Sequence, residues 1–196
     1  MAHISYKTPA LVLASLPRGE ANKTCILLTP DQGLLYAHTQ GVRFEKSKLR
    51  FSLGDYCYSE VMLVHGKSGW RLTNASLNKD LYREVEKENF MVIARVFSLI
   101  RKLVTGEEGN QVLFAHTIDA IEALSKTNMT SEEISRVEIA WVLKILFTLG
   151  YINPGKLKEH IDAPFETVSL SSEFDLLKED ALVHINKAIH SSQLYF

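Results

Sequence analysis

Near Asn78 the hydrophobic period of the chain changes from two residues to about 3.6. Before that point short apolar runs alternate with turn residues; after it, apolar positions recur at helical spacing. A chain patterned this way is neither a single sheet nor a single helical bundle. It predicts an α+β protein in two parts, a β unit over 1–77 and a helical unit over 78–196.

Five strands are expected in the first part. "ALVLASL" is followed by the polar "PRGEAN" and then by "KTCILLT". In "PDQG", Pro30 presets one turn torsion and Gly33 supplies a positive φ, which predicts a hairpin into "LLYAHTQG". "YCYSEVMLVH" and "WRLTNA" form a second hairpin around "GKSG". In "KLRFSL", Leu49, Phe51 and Leu53 alternate with Lys48, Arg50 and Ser52, so an extended conformation would bury one face and present the bases on the other. Val42 and Phe44 have the opposite parity, which places a loop or bulge at Glu45 to Ser47.

In the second part, Leu81, Val85, Val92, Val96, Ile100 and Leu103 predict a helix up to Gly106, with "TGEEGN" as its connector to a helix from about Gln111 to Lys126. Thr130 and Glu133 have capping-box spacing, and Gly150 falls where a glycine ends a helix. The helix between them carries Ile139, Val142, Leu143, Ile145, Leu146 and Phe147 and is apolar on nearly all sides, which predicts a central position. A linker containing Pro154 and Pro164 follows, then a last helix from about Glu173 to His190.

Charge divides along the same line. The formal net charge is −1. Up to Ala75, however, nine Lys and Arg face five Asp and Glu, and after it thirteen face eighteen. The two parts therefore suit different partners, and the basic part suits a polyanion. Cys25 and Cys57 lie in apolar strand-like runs and are expected as buried thiols. The longest apolar stretches are too short or too interrupted to cross a bilayer, and the start lacks the pattern of a secretory signal, so a cytoplasmic protein is expected.

Catalytic and metal-binding patterns are missing. The sequence has no C-x-x-C, no H-x-x-x-H on a helix, no phosphate loop around "PRGEANKT" and no G-x-S-x-G elbow. The reading is a non-enzymatic protein without metal or cofactor. What stands out instead is "GVRFEKSKLR", where Arg43, Lys46, Lys48 and Arg50 fall within eight positions beside a single acid, Glu45. Arg18, Lys23, Lys67 and Arg71 sit near turns and strand ends of the same β unit. Such a set could meet several phosphates at once. Aromatics at Tyr36, Phe44, Phe51, Tyr56, Tyr58 and Trp70 could stack bases, although most are expected in the core.

The ordered motifs "RGEANKTCILLTPDQG", "QGVRFEKSKLR" and "GWRLTNA", followed by "VEIAWVLKILFTLGYI", resemble the bacterial recombination and repair RecO family. Asn22 stands where that family's pattern carries aspartate and Gln40 where it carries lysine. The resemblance implies an N-terminal five-stranded OB-fold barrel joined to a helical domain. It also implies DNA repair and recombination by binding single- and double-stranded DNA and annealing complementary strands. Its implied partners are RecR, single-strand-binding protein and, indirectly, RecA, in a nucleoid-associated setting. Arg18, Arg43, Lys46, Lys48 and Arg50 match the family's basic positions, and Lys23 and Arg71 are added on electrostatic grounds. The four-cysteine zinc module that many members carry in the helical half has no counterpart after Cys57, where "NPGKLKEHIDAPF" stands instead. An OB-fold RNA-binding protein and a protein–protein adaptor without nucleic-acid binding are the alternative readings.

Overall fold

The computed structural model describes residues 4–191. Five strands, β1 (Ser5–Arg18), β2 (Asn22–Thr29), β3 (Gly33–Thr39), β4 (Cys57–Gly66) and β5 (Gly69–Asp80), close into a barrel in the order β1-β2-β3-β5-β4. Closure depends on β1. Its first half pairs with β4 and its second half with β2, and Leu11 faces both Tyr58 and Leu28. A register shift between Val12 and Ala14 gives the strand the bend that this double pairing requires. The circuit is completed by β3 and β5, which run parallel and meet at His38 and Arg71. This is the five-stranded Greek-key barrel of the OB-fold.

Period-two alternation fills the barrel. Cys25 and Leu27, Leu35 and Ala37, Val61 and Leu63, and Trp70 and Leu72 point inward with Ala10 and Val12, joined by Val42 and Leu53 from the β3–β4 connection. Each fully buried leucine contributes about 1.5–3 kcal/mol relative to exposure. Both cysteines are free and buried, and desolvation pushes each thiol up to about 11. The expected turn at "PDQG" forms, with Gly33 at φ +64 and the Gln32 amide donating to Thr29 Oγ1 at 3.2 Å.

The described chain divides into two compact units. One comprises the residues up to Glu84 with Val104–Phe114, and the other comprises Val85–Leu103 with the residues from Ala115 on. The barrel unit thus includes more than the strands and the short helix α2 (Leu81–Glu84). Residues 107–110, which read in sequence only as a connector between helices, lie along the β2–β3 turn together with Gln111. Glu107 Oε2 accepts from Trp70 Nε1 at 2.7 Å and Asp31 Oδ1 accepts from Gln111 Nε2 at 2.9 Å. Two glycines permit this approach: a Cβ on Gly33 would lie 2.2 Å from the Glu108 carbonyl oxygen, and one on Gly109 would lie 2.3 Å from that of Asp31.

The helical elements are α3 (Lys87–Leu103), α4 (Gln111–Leu124), α5 (Ser131–Thr148), α6 (Lys158–Asp162), α7 (Phe165–Leu170), α8 (Ser172–Leu176) and α9 (Lys178–Ser191). In the helical unit α5 is central and packs against α3, α6, α7 and α9. Its start carries the expected capping box: the Glu133 amide donates to Thr130 Oγ1 at 3.2 Å and the Thr130 amide to Glu133 Oε2 at 2.7 Å. At its end, Gly150 donates to Phe147 and Tyr151 to Leu146, the paired bonds of a Schellman motif. Lys144 interrupts the apolar face of α5 in sequence, yet it is buried and its ammonium donates to the Ile161 and Ala163 carbonyls above the Phe165 ring.

Two sequence expectations are corrected in this unit. The stretch around Pro154 and Pro164 is not an open linker: it holds a 3-10 turn (Gly155–Leu157), α6 and α7, with each proline at a helix start, where its missing amide costs no bond. The last helix is two helices, because the Ser171 side chain caps α8 and the chain breaks at Leu177 before α9 begins.

Candidate nucleic-acid interface

The basic residues gather on the connections of the barrel. The β3–β4 connection, residues 40–56, is tied to the β1–β2 turn where it begins. The Gly41 amide donates to Asn22 Oδ1 at 2.9 Å, the Arg43 amide to the Ala21 carbonyl at 3.0 Å, and Arg43 Nη1 to the Gly19 carbonyl at 2.9 Å. Three bonds three residues apart then carry it forward, from Phe44 to Gly41, Ser47 to Phe44 and Arg50 to Ser47. A single helical turn, α1 (Leu49–Ser52), follows. The far end is fastened by the Lys23 ammonium, which donates to the Leu53 carbonyl, by Ser59 Oγ donating to the Ser52 carbonyl at 2.6 Å, and by the Tyr56 amide donating to Val12 at 2.8 Å.

"KLRFSL" is therefore not extended, contrary to its alternating pattern. Ser52 and Leu53 are buried and Leu49 is half-buried, whereas Phe51 stands 64% exposed beside Arg50. The spacing i, i+3, i+4 of the inward residues is that of a helical turn, and the core contact of Leu53 overrides the strand-like parity.

Arg18, Arg43, Lys46, Lys48, Arg50 and Arg71 are exposed. Lys23 is half-buried, with its charge committed to Leu53, so the structure gives it a fastening role in the loop. Among the described residues none of these seven cations forms an ion pair with a carboxylate. Arg18 and Arg71 come together: with His38, Gln40, Lys67 and Trp70 they line a cleft of about 330 Å³. Arg43 joins this neighbourhood through its bond to Gly19, next to Arg18. Lys46, Lys48 and Arg50 lie further along the connection, outside the cleft lining.

The cleft contains residues that sequence patterns did not select. His38 is brought to Arg71 by parallel pairing, a non-local contact with no signature in either strand, and its Nδ1 is 2.9 Å from Thr24 Oγ1. Gln40 is polar but uncharged, and Lys67, a cation near a turn in the sequence, joins it in the lining. Trp70 is held in place by Glu107 and by edge contacts to His65 at 4.7 Å and Tyr6 at 5.5 Å. The aromatics divide differently from the core expectation. Tyr36 (52%), Phe44 (62%) and Phe51 (64%) are exposed, Tyr56 and Tyr58 are half-buried, and Trp70 is buried.

Among the described residues no helix is long and apolar enough to cross a membrane, and no group of His, Cys, Asp and Glu is placed to hold a metal ion. Comparison with known proteins agrees with the barrel. The family described as Recombination protein O N terminal matches residues 1–79. The chain is similar to the DNA repair protein RecO of Chlorobium limicola, with 30% identity over 148 residues, 74% of this chain and 56% of that protein. It is also similar to the proteins of the same name from Dehalococcoides mccartyi, with 32% identity over 127 residues (62% and 49%), and Acetivibrio thermocellus, with 24% identity over 146 residues (74% and 57%). The chain spans about half the length of the curated relatives it matches. The residues that match this N-terminal family are those that build the closed five-stranded barrel, and the likeness to proteins named DNA repair protein RecO continues into the helical stretch.

Proposed function

We propose that this protein is a non-enzymatic DNA repair and recombination mediator whose barrel binds the sugar–phosphate backbone of single- and double-stranded DNA. The observation that carries the reading is the set of exposed, carboxylate-free cations on connections tied to one another through Arg43 and Gly19. Backbone contact by such a surface is indifferent to sequence. It neutralises phosphates, releases counterions and leaves base edges unread. Two strands screened in this way lose much of their mutual repulsion while their bases stay free to pair, which is the physical basis for annealing. The exposed Tyr36, Phe44 and Phe51 would add stacking, worth about 1–3 kcal/mol per base.

By resemblance to the RecO family, the protein would act with RecR to help RecA replace single-strand-binding protein. The division of charge supports a split of labour, with a basic barrel for DNA and an acidic helical unit for proteins. The test is fluorescence anisotropy of a labelled single-stranded oligonucleotide, with annealing of its complement as a second readout, for the wild type and the Lys46→Glu, Lys48→Glu, Arg50→Glu triple variant. Binding and accelerated annealing that are both lost in the variant support the reading. Binding that the variant retains in full refutes the site.

A further inference from the structure

We infer that the cleft between the β1–β2 turn, the end of β3 and the β4–β5 turn holds one unpaired nucleotide, and so makes the barrel prefer single strands over duplex, a step that rests on the DNA-binding reading above. Its volume of about 330 Å³ lies at the small-ligand end of the range for binding pockets, large enough for a single nucleotide unit. Its lining combines the groups that such a unit needs. Arg18, Lys67 and Arg71 supply positive charge that has no carboxylate partner among the described residues, suited to the phosphates of that unit and of its neighbours along the strand. Trp70 and Val64 give an apolar wall, suited to a base or sugar.

Gln40 presents both a donor and an acceptor and can meet the edge of any base, so recognition there need not depend on sequence. The bond between His38 Nδ1 and Thr24 fixes the imidazole and leaves Nε2 as the ring nitrogen without that bond. Trp70 is fixed by Glu107, His65 and Tyr6, so the wall is rigid before any ligand arrives. A paired base reaches a concave site only by leaving its stack and its partner, whereas an unpaired base has no partner to lose. The cations of the β3–β4 connection are different: Lys46, Lys48 and Arg50 are exposed outside the cleft lining, where their charges would meet the backbone of either kind of strand.

Anisotropy with a labelled oligothymidylate and with a blunt duplex of equal length separates the two surfaces. The Arg18→Ala, Arg71→Ala double variant should weaken the single strand about tenfold or more and the duplex by less than about twofold. Both residues are exposed, so its thermal midpoint should match the wild type. The Lys46→Ala, Lys48→Ala, Arg50→Ala variant should weaken both. Thymidine monophosphate should displace the oligothymidylate from the wild type, and inorganic phosphate at the same concentration should not. Equal losses on single strand and duplex in the double variant, or displacement by phosphate as effective as by the nucleotide, overturn the assignment. A wild type that binds neither DNA refutes the broader DNA-binding reading instead, which keeps the two failures distinct.

Discussion

The salt dependence of single-strand binding can be worked out from the side-chain bonds. Of the basic residues on the barrel connections and in the cleft, Lys23 gives its ammonium to Leu53 and Arg43 part of its fork to Gly19. Among the described residues, no acceptor is bonded to the charged groups of Arg18, Lys46, Lys48, Arg50, Lys67 and Arg71. If each of these six neutralises one phosphate, the slope of log K against log salt is about −4.2, at about −0.7 per phosphate of a single strand. Replacing Lys46, Lys48 and Arg50 by alanine removes half of the set, and the slope should fall to about −2.1. The assay is anisotropy of a labelled oligothymidylate titrated with protein across a salt series, read as two straight lines. Parallel lines of unequal height would rule out this account, because the loop would then affect affinity without releasing counterions. Lys23→Met is the internal control: it should leave the slope unchanged while costing about 1–3 kcal/mol of stability through the orphaned Leu53 carbonyl.

Further outcomes are expected elsewhere in the molecule. Burial raises the Cys25 thiol from 9.0 to about 11, so the unfolded chain loses this proton first and stability falls as pH rises from 9 towards 11. At pH 10 the loss from Cys25 is about 1.4 kcal/mol, and urea titrations at pH 7 and pH 10 should show a smaller difference for Cys25→Ala than for the wild type by about that amount; equal differences would contradict it. Gly33→Ala meets the Glu108 carbonyl at 2.2 Å at a φ of +64 and should cost about 2–4 kcal/mol, measured by the same titration; a loss below about 1 kcal/mol would mean that residues 107–109 do not lie against the turn. Thr130→Ala removes half of the α5 capping box and should cost about 1 kcal/mol, with Thr130→Ser restoring most of it in chemical denaturation.

Wherever neighbours along the chain decide the outcome, the structure follows the sequence. The alternation of Cys25 with Leu27 and of Leu35 with Ala37 is local, and so are the turn at Pro30–Gly33 and the capping box and glycine stop around α5. Hydrophobic period and turn chemistry act within a few residues, so the barrel-then-helices order and the basic character of "GVRFEKSKLR" could be read without coordinates. The course of that segment could not. Leu49, Phe51 and Leu53 have the parity of a strand, but the bonds that fold the connection into turns join it to Gly19, Asn22 and Lys23, some twenty to thirty positions away. The α6–α7 corner before Pro164 is likewise held from a distance, by the Lys144 ammonium of α5 on the Ile161 and Ala163 carbonyls. The cleft is wholly a tertiary product: Arg18, His38 and Arg71 belong to three strands, and only closure of the barrel by the parallel pairing of β3 with β5 sets them around one hollow. Charge is a property of the sequence, but the distance between charges depends on how the chain closes.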